Sequence, residues 1–118
     1  MADENGGVTA RTLGELLEDE YTRSILAETS TEWVSAAELQ TRCDASAPTV
    51  YRRLGRLQEL DMIDEKQVVD PDGHHYRQFS ARLERVTIEL REGEYHVSVE
   101  RSQQDAVERF TELYERLR

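Results

Sequence analysis

The chain has 118 residues, of which 37% are hydrophobic and 34% are charged, and its formal net charge is -10. This length allows one compact domain and excludes a two-domain enzyme, because domains usually contain roughly 100–200 residues. So acidic a chain argues against a polyanionic partner, since phosphate binding normally shows as a basic surface. The function therefore depends on where the basic residues lie.

The basic residues are almost all arginines, with Lys66 as the single lysine. Together with the excess of acids, this composition resembles that of proteins adapted to molar salt, and we expect a halophilic host. The single cysteine, Cys43, excludes an intrachain disulfide and a four-thiolate zinc site. No apolar run approaches the roughly 20 residues that cross a bilayer, and the first residues lack the features of a signal peptide. We expect a cytoplasmic protein without a membrane partner.

The first third of the chain predicts short helices. Residues 1–11 are small and polar, which predicts a disordered tail. Thr12 and Glu15 have the spacing of a capping box for a short helical turn, and Asp19 can cap the helix that follows. Residues 32–34 form a plausible extended piece. Ser35 and Glu38 then form a second capping box, which predicts the next helix.

A third helix is predicted from Ser46, its N-cap, to about Leu60, with Pro48 in the first turn. Residues 42–60 carry a net charge of +2, against -12 for the rest of the chain, so this helix is the one basic island. Val50, Leu54 and Leu57 form an apolar stripe at helical spacing. The opposite side carries arginines, either as an ordinary solvated face or as a surface that reads DNA, where an arginine fork pairs with guanine.

Beyond the third helix the pattern changes to alternation, with Val68 and Val69 before a turn at 70–73 and Tyr76 and Phe79 after it. Proline and glycine at this spacing mark the tip of a β-hairpin. Three helices followed by a hairpin predict a winged helix-turn-helix domain, here spanning residues 12–81.

Three segments resemble the arsenic-repressor-type (ArsR-like) winged-helix regulators, in the form common among haloarchaea. They are 19–26 (DEYTRSIL), 35–39 (SAAEL) and 45–54 (ASAPTVYRRL). The resemblance covers about Leu13 to Ser80 and implies a DNA-binding transcription regulator.

The resemblance also implies the site. The helix of residues 46–60 would lie in the major groove, and the wing of residues 63–81 on a flanking groove. Base edges would be met by Ala47, Pro48, Tyr51 and Arg52 on the surface that starts at Ser46. The DNA backbone would be met by Thr49 and by Arg53 or Arg56, and the flanking groove by Arg77. Ala47 and Pro48 stand where polar residues are frequent in the family, so base readout is expected to be sparse.

Sensing by a metal is not supported, because the paired cysteines and the terminal acid–histidine sets of metal-responsive members are missing. We expect no metal and no cofactor. His74 and His75 follow the wing tip beside Asp70 and Asp72, as a solvated tip within reach of phosphate or as a weak metal site. His96 is expected on a sheet face. Cys43 is either a buried small apolar residue or a thiol switch, since Arg42 is its neighbour.

Residues 82–118 predict a second hairpin and a final helix. Val86, Ile88 and Leu90 alternate before a turn at 91–94, and Tyr95, Val97 and Val99 alternate after it. The final helix carries one apolar stripe, predicted as a dimerisation surface: Ala106, Phe110, Leu113 and Leu117. A two-fold dimer would read two half-sites, whereas intramolecular packing of the stripe remains the alternative. The second hairpin could serve the same interface or form a ligand surface.

The fold class is therefore expected to be α+β, and the function that of a homodimeric, sequence-specific regulator of double-stranded DNA. An enzyme is not expected, because the chain has no phosphate-binding glycine loop and no nucleophile elbow. The alternative is a winged helix that binds a protein within the transcription machinery, with Arg52 and Arg56 facing an acidic partner. The small-molecule effector, if one exists, is not specified by the sequence.

Overall fold

The computed structural model describes residues 7–102. In this part of the chain, four helices and two antiparallel sheets confirm the α+β class. The helices are α1 (Ala10–Glu18), α2 (Glu20–Thr29), α3 (Ala36–Arg42) and α4 (Ala47–Glu59). The strands are β1 (Val34–Ser35), β2 (Ile63–Val69), β3 (His75–Ala81), β4 (Leu83–Arg91) and β5 (Glu94–Arg101).

Short polar side chains begin each helix. The carboxylate of Asp19, the hydroxyl of Ser35 and the hydroxyl of Ser46 accept the amide three residues on, as the sequence predicts. The first helix differs from the prediction, because it begins at Ala10 with Thr9 as its N-cap, and not at Thr12. Val8, before this cap, is 3% exposed. The structure thus places Val8 in the core and begins α1 at Ala10, within the segment 1–11 that was predicted as a tail.

A three-stranded sheet in the order β1–β3–β2 lies against the helices. Val34 of β1 pairs with Phe79 of β3, which in turn pairs with Glu65 of β2. Phe79 is 1% exposed and packs in a core that draws residues from every helix. The core includes these fully buried side chains: Leu13, Ile25, Val34, Leu39, Val50, Leu54, Leu57 and Met62.

The second sheet is the hairpin of β4 and β5, which the sequence predicts. Its turn places Glu92 and Gly93 at positive φ, 52° and 79°, the arrangement of the tight turns that suit the twist of a hairpin. Arg101 attaches this hairpin to the end of α4, because its guanidinium donates to the carbonyls of Leu60 (2.9 Å) and Asp61 (2.8 Å).

The sequence also predicts the absence of a membrane-spanning helix and the presence of a dimerisation stripe near the C-terminus. Within residues 7–102, no helix is long and apolar enough to cross a membrane. The stripe predicted as a dimerisation surface, from Ala106 to Leu117, lies outside the described residues.

Candidate nucleic-acid interface

The helix α4 is held on one side and exposed on the other. Val50, Leu54 and Leu57 are buried, and the helix packs against α2, α3 and β2. Ser46 begins the helix, and its hydroxyl oxygen lies 3.3 Å from the Thr49 amide and 3.0 Å from the Thr49 hydroxyl. This cap fixes where the exposed face starts. Pro48 is exposed in the first turn, where a missing N–H leaves no helix hydrogen bond unmade.

Tyr51 and Arg52 stand next to each other on the exposed face. Tyr51 is 47% exposed, and Arg52 is also exposed. Within residues 7–102, the side chain of Arg52 has no ion pair or hydrogen bond, in contrast to those of its neighbours Arg53 and Arg56. Its five N–H donors are therefore available to an external acceptor.

Arg53, one of the two arginines expected at the DNA backbone, forms an ion pair with Asp19 in this structure. Its Nε donates to Oδ2 of Asp19 at 2.5 Å, and both side chains are mostly buried. Burial raises the pKa of Asp19, but the hydrogen bonds from Arg53 and Thr22 outweigh this effect and lower the pKa to about 2. Of the two arginines proposed for phosphate contact, Arg53 is engaged in the interior contact of α4 with the start of α2.

Arg56 remains on the surface. Its Nη1 lies 3.6 Å from Oε2 of Glu59, and its side chain is 46% exposed. An exposed pair at this distance contributes little to stability, typically below about 1 kcal/mol. The guanidinium of Arg56 can therefore exchange Glu59 for a phosphate group at small cost.

The first hairpin is linked to α4 through polar side chains. The guanidinium of Arg77 lies 5.7 Å from the centre of the Tyr51 ring, and its Nη1 lies 3.4 Å from Oε2 of Glu65. Gln58 of α4 donates to the same carboxylate. Glu65 thus holds Arg77 of the hairpin beside the exposed side of α4.

A cleft of about 450 Å³ separates the hairpin from the helices. Tyr51 lines it from α4, Tyr76 and Arg77 line it from β3, and residues 35–37 line it from the start of α3. Tyr51 and Arg77 were expected at the site from the sequence, whereas Glu65, Gln58 and Tyr76 were not assigned to it. For Glu65 the available signal was the two-residue alternation of β2 and β3, which places Glu65 and Arg77 on one face of the hairpin.

The tip of the first hairpin is acidic. Oδ1 of Asp70 accepts the amides of Asp72 (3.0 Å) and His74 (2.9 Å), and Nδ1 of His74 lies 3.7 Å from Oδ2 of Asp70. The carboxylates of Asp70 and Asp72 and the imidazole of His74 lie within 4.8 Å of one another, whereas His75 is not part of the group. Two carboxylates therefore lie beside the histidine that was expected to reach phosphate.

Cys43 ends α3 and is partly buried against the core. Burial and the charge of Glu28 raise the pKa of its thiol, against a smaller opposite effect of Arg42. Arg42 is itself held by three carboxylates, those of Glu28, Glu32 and Glu38, at 2.6–3.1 Å. These contacts disfavour the thiolate, because the positive charge beside Cys43 is largely balanced.

The chain matches no protein-family model and no curated protein. Its function must therefore be inferred from the surface formed by α4 and the first hairpin.

Proposed function

We propose that the protein is a sequence-specific transcription regulator of the winged helix-turn-helix type, which binds double-stranded DNA. The observation that carries the proposal is the exposed guanidinium of Arg52, which has no side-chain partner within residues 7–102 and lies next to Tyr51 on a helix whose opposite face is buried.

In this proposal α4 lies in the major groove. The groove is about 12 Å wide and admits one helix, and a bidentate pair between arginine and guanine is the commonest specific contact there. Arg52 would make this pair. Tyr51 would contact the neighbouring base or sugar, and Arg56 would replace Glu59 by phosphate, which fixes the position of the helix without reading sequence.

The first hairpin acts as the wing. Arg77 is already positioned between Tyr51 and Glu65, and contact with a flanking phosphate would draw it from the carboxylate. The acidic tip at Asp70 and Asp72 limits how closely the wing approaches the backbone. We therefore assign the phosphate contact of the wing to Arg77 and not to His74.

The proposed assembly is a homodimer, because a two-fold pair of recognition helices reads two half-sites about one turn of DNA apart. The proposed host is a halophile, in agreement with a net charge of -10 and an excess of arginine over lysine. At high salt the repulsion between an acidic body and DNA is screened within a few ångströms.

A second candidate function is a winged helix that binds an acidic segment of another protein. It is favoured by the pairing of Arg56 with Glu59 and of Arg77 with Glu65, which leaves a surface with little net positive charge. A protein segment with one or two carboxylates could bind Arg52 and either Arg56 or Arg77, which would exchange its present glutamate partner for the segment's carboxylate.

Selection of bound sequences from random duplex DNA, in molar potassium chloride, separates the two functions. The regulator is expected to enrich a two-fold symmetric sequence, and Arg52→Ala is expected to lose this enrichment. Arg11→Ala is the matched control, because Arg11 is an exposed arginine on α1 whose side chain pairs, among the described residues, with Glu15. Enrichment of no sequence by the folded protein would reject the regulator and favour the second candidate.

A further inference from the structure

The second hairpin has one polar and one apolar face. Cross-strand partners share a face, and the apolar face consists of three directly paired couples: Val86 with Val99, Ile88 with Val97, and Leu90 with Tyr95. The opposite face carries only polar or charged pairs, such as Glu89 with His96. A sheet patterned in this way is expected to bury one face.

Only the base of the apolar face is covered in the described structure. Val86, Val97 and Val99 pack against the core. Towards the turn, Ile88 is 52% exposed, Leu90 is 63% exposed and Tyr95 is 66% exposed. An isolated two-stranded hairpin is marginally stable in water, so this outer half requires a cover.

The second hairpin ends at its base, where Arg101 and Ser102 are held in place by hydrogen bonds. Ser102 is 2% exposed, and its amide donates to the carbonyl of Arg82 at 2.9 Å. Arg101 is anchored to the carbonyls at the end of α4. Because β5 runs from the turn to the base, it ends at the opposite end of the hairpin from the exposed couples.

Residues 103–118 have the pattern and length that such a cover needs. In the sequence, Ala106, Phe110, Leu113 and Leu117 recur at helical spacing. Sixteen residues in a helix extend about 24 Å, and the eight-residue strand β5 extends about 26 Å. Such a helix can lie along the whole hairpin face.

We infer that the exposed apolar face of the second hairpin is the docking surface for residues 103–118 of a second copy of this chain, in a reciprocal exchange. The inference rests on the homodimer in the proposed function and names its interface. An exchange in both directions accounts for the end of β5 lying far from the exposed couples of its own hairpin, and it covers two faces at once.

The required area supports this pairing over contact between two bare hairpins. A stable dimer interface usually buries about 800 Å² of each partner. An aromatic side chain buries only about 150–250 Å², so three part-exposed side chains fall well short of this area. The apolar stripe of residues 103–118 supplies the remainder on each side.

Cross-linking between two differently tagged proteins tests the exchange. Both carry Cys43→Ser, one carries Leu90→Cys and the other Leu113→Cys. After mixing and mild oxidation without DNA, we expect a disulfide that joins the two tags. Glu89→Cys replaces Leu90→Cys in the control, because Glu89 lies on the polar face and should not cross-link.

A disulfide confined to single chains, seen when both cysteines are placed in one protein, would overturn the inference in favour of intramolecular packing. A parent protein that sediments as a monomer would overturn it as well. Neither result concerns base readout by α4, which is measured separately by the selection from random duplex DNA.

Substitutions on the exposed apolar face provide a second test, because they should weaken the dimer while the protein stays folded. Leu90→Glu with Tyr95→Glu changes side chains that are already mostly exposed, so the hairpin should form. We expect the dimer dissociation constant in sedimentation to rise at least tenfold, about 1.4 kcal/mol. His96→Glu, on the polar face, is expected to leave it unchanged, and an equal effect of both variants would contradict the inference.

Discussion

Arg53 in the middle of α4 donates from its Nε to Oδ2 of Asp19, the residue that caps α2. The same carboxylate oxygen accepts the amide and hydroxyl of Thr22. One acidic side chain therefore determines both where α2 begins and how α4 is oriented against it. The orientation of the proposed recognition helix depends on this ion pair.

The pKa of Asp19, lowered to about 2, makes this contact sensitive to acid. A carboxyl whose pKa is depressed by folding stabilises the protein above its ordinary pKa of 3.8, and this contribution is lost as the pH falls from about 4 to 2. We expect Asp19→Asn to lower the free energy of unfolding at neutral pH by roughly 1–2 kcal/mol. Denaturation at a series of pH values measures it.

Asparagine also caps helices well, so this variant isolates the charge from the cap. The difference between parent and variant should disappear below about pH 2. Glu18→Gln, one residue earlier in the chain, removes an exposed charge and serves as the control. A difference in stability that stayed constant from pH 7 to pH 2 would contradict the role of the charge.

The two surface arginines of α4 should differ in what they recognise. We expect Arg52→Ala to weaken binding to the selected sequence by about 1–3 kcal/mol and to relax base preference, because a bidentate pair is lost. Arg56→Ala should weaken all sequences alike. Titration of matched and mutated duplexes with both variants distinguishes these effects, and an unchanged base preference in folded Arg52→Ala would remove this residue from base readout.

In the proposed function Glu65 would compete with DNA for Arg77, since its carboxylate lies 3.4 Å from the guanidinium. We expect Glu65→Gln to raise the affinity for DNA several-fold without changing base preference, because phosphate contacts carry no sequence information. The same charge change at Glu89, on the polar face of the second hairpin, should have a smaller effect. A weaker affinity of Glu65→Gln would show that its positioning of Arg77 outweighs the competition.

The dependence of DNA binding on salt should be shallow. Ordinary basic proteins lose affinity with a slope of about 0.9 in log salt for each phosphate contacted. Here residues 42–60 carry +2 and the remainder of the chain carries -12, and the repulsion it causes extends about 10 Å at 0.1 M but about 3 Å at 1 M. Specific binding is expected to persist in molar potassium chloride. A fall of several decades between 0.2 M and 2 M would contradict it.

Peroxide treatment should not change DNA binding by oxidising Cys43. The raised pKa of its thiol keeps it protonated near neutral pH, and the thiolate is the reactive form. We expect the parent and Cys43→Ser to bind DNA equally before and after peroxide treatment. A loss of binding that occurred in the parent alone would identify a thiol switch.

Local signals in the sequence were sufficient for most elements. The caps at Asp19, Ser35 and Ser46 depend on contacts within three residues, and both hairpins depend on alternation around turns with glycine. The N-cap of α1 was predicted at Thr12, three residues after the observed cap at Thr9. Thr9 and Thr12 offer competing caps, and the burial of Val8 is a tertiary contact.

The site was less predictable, because its contacts join distant segments. Arg53 pairs with a residue 34 positions earlier, and its place near the border of the apolar stripe was the only indication. Glu65 reaches Gln58 and Arg77 from a neighbouring strand. Such contacts depend on how the hairpin lies against α4, which periodicity within either element does not specify.

The anchoring of Arg101 to the carbonyls of Leu60 and Asp61 has a consequence for the geometry of an assembly. These carbonyls lie just beyond the last turn of α4, so Arg101 ties the second hairpin to the end of the proposed recognition helix. A second copy of the chain that binds this hairpin would therefore set the angle and separation of the two α4 helices in the proposed dimer. The contacts of the second hairpins, and not contacts with bases, would then determine the length of DNA between two half-sites.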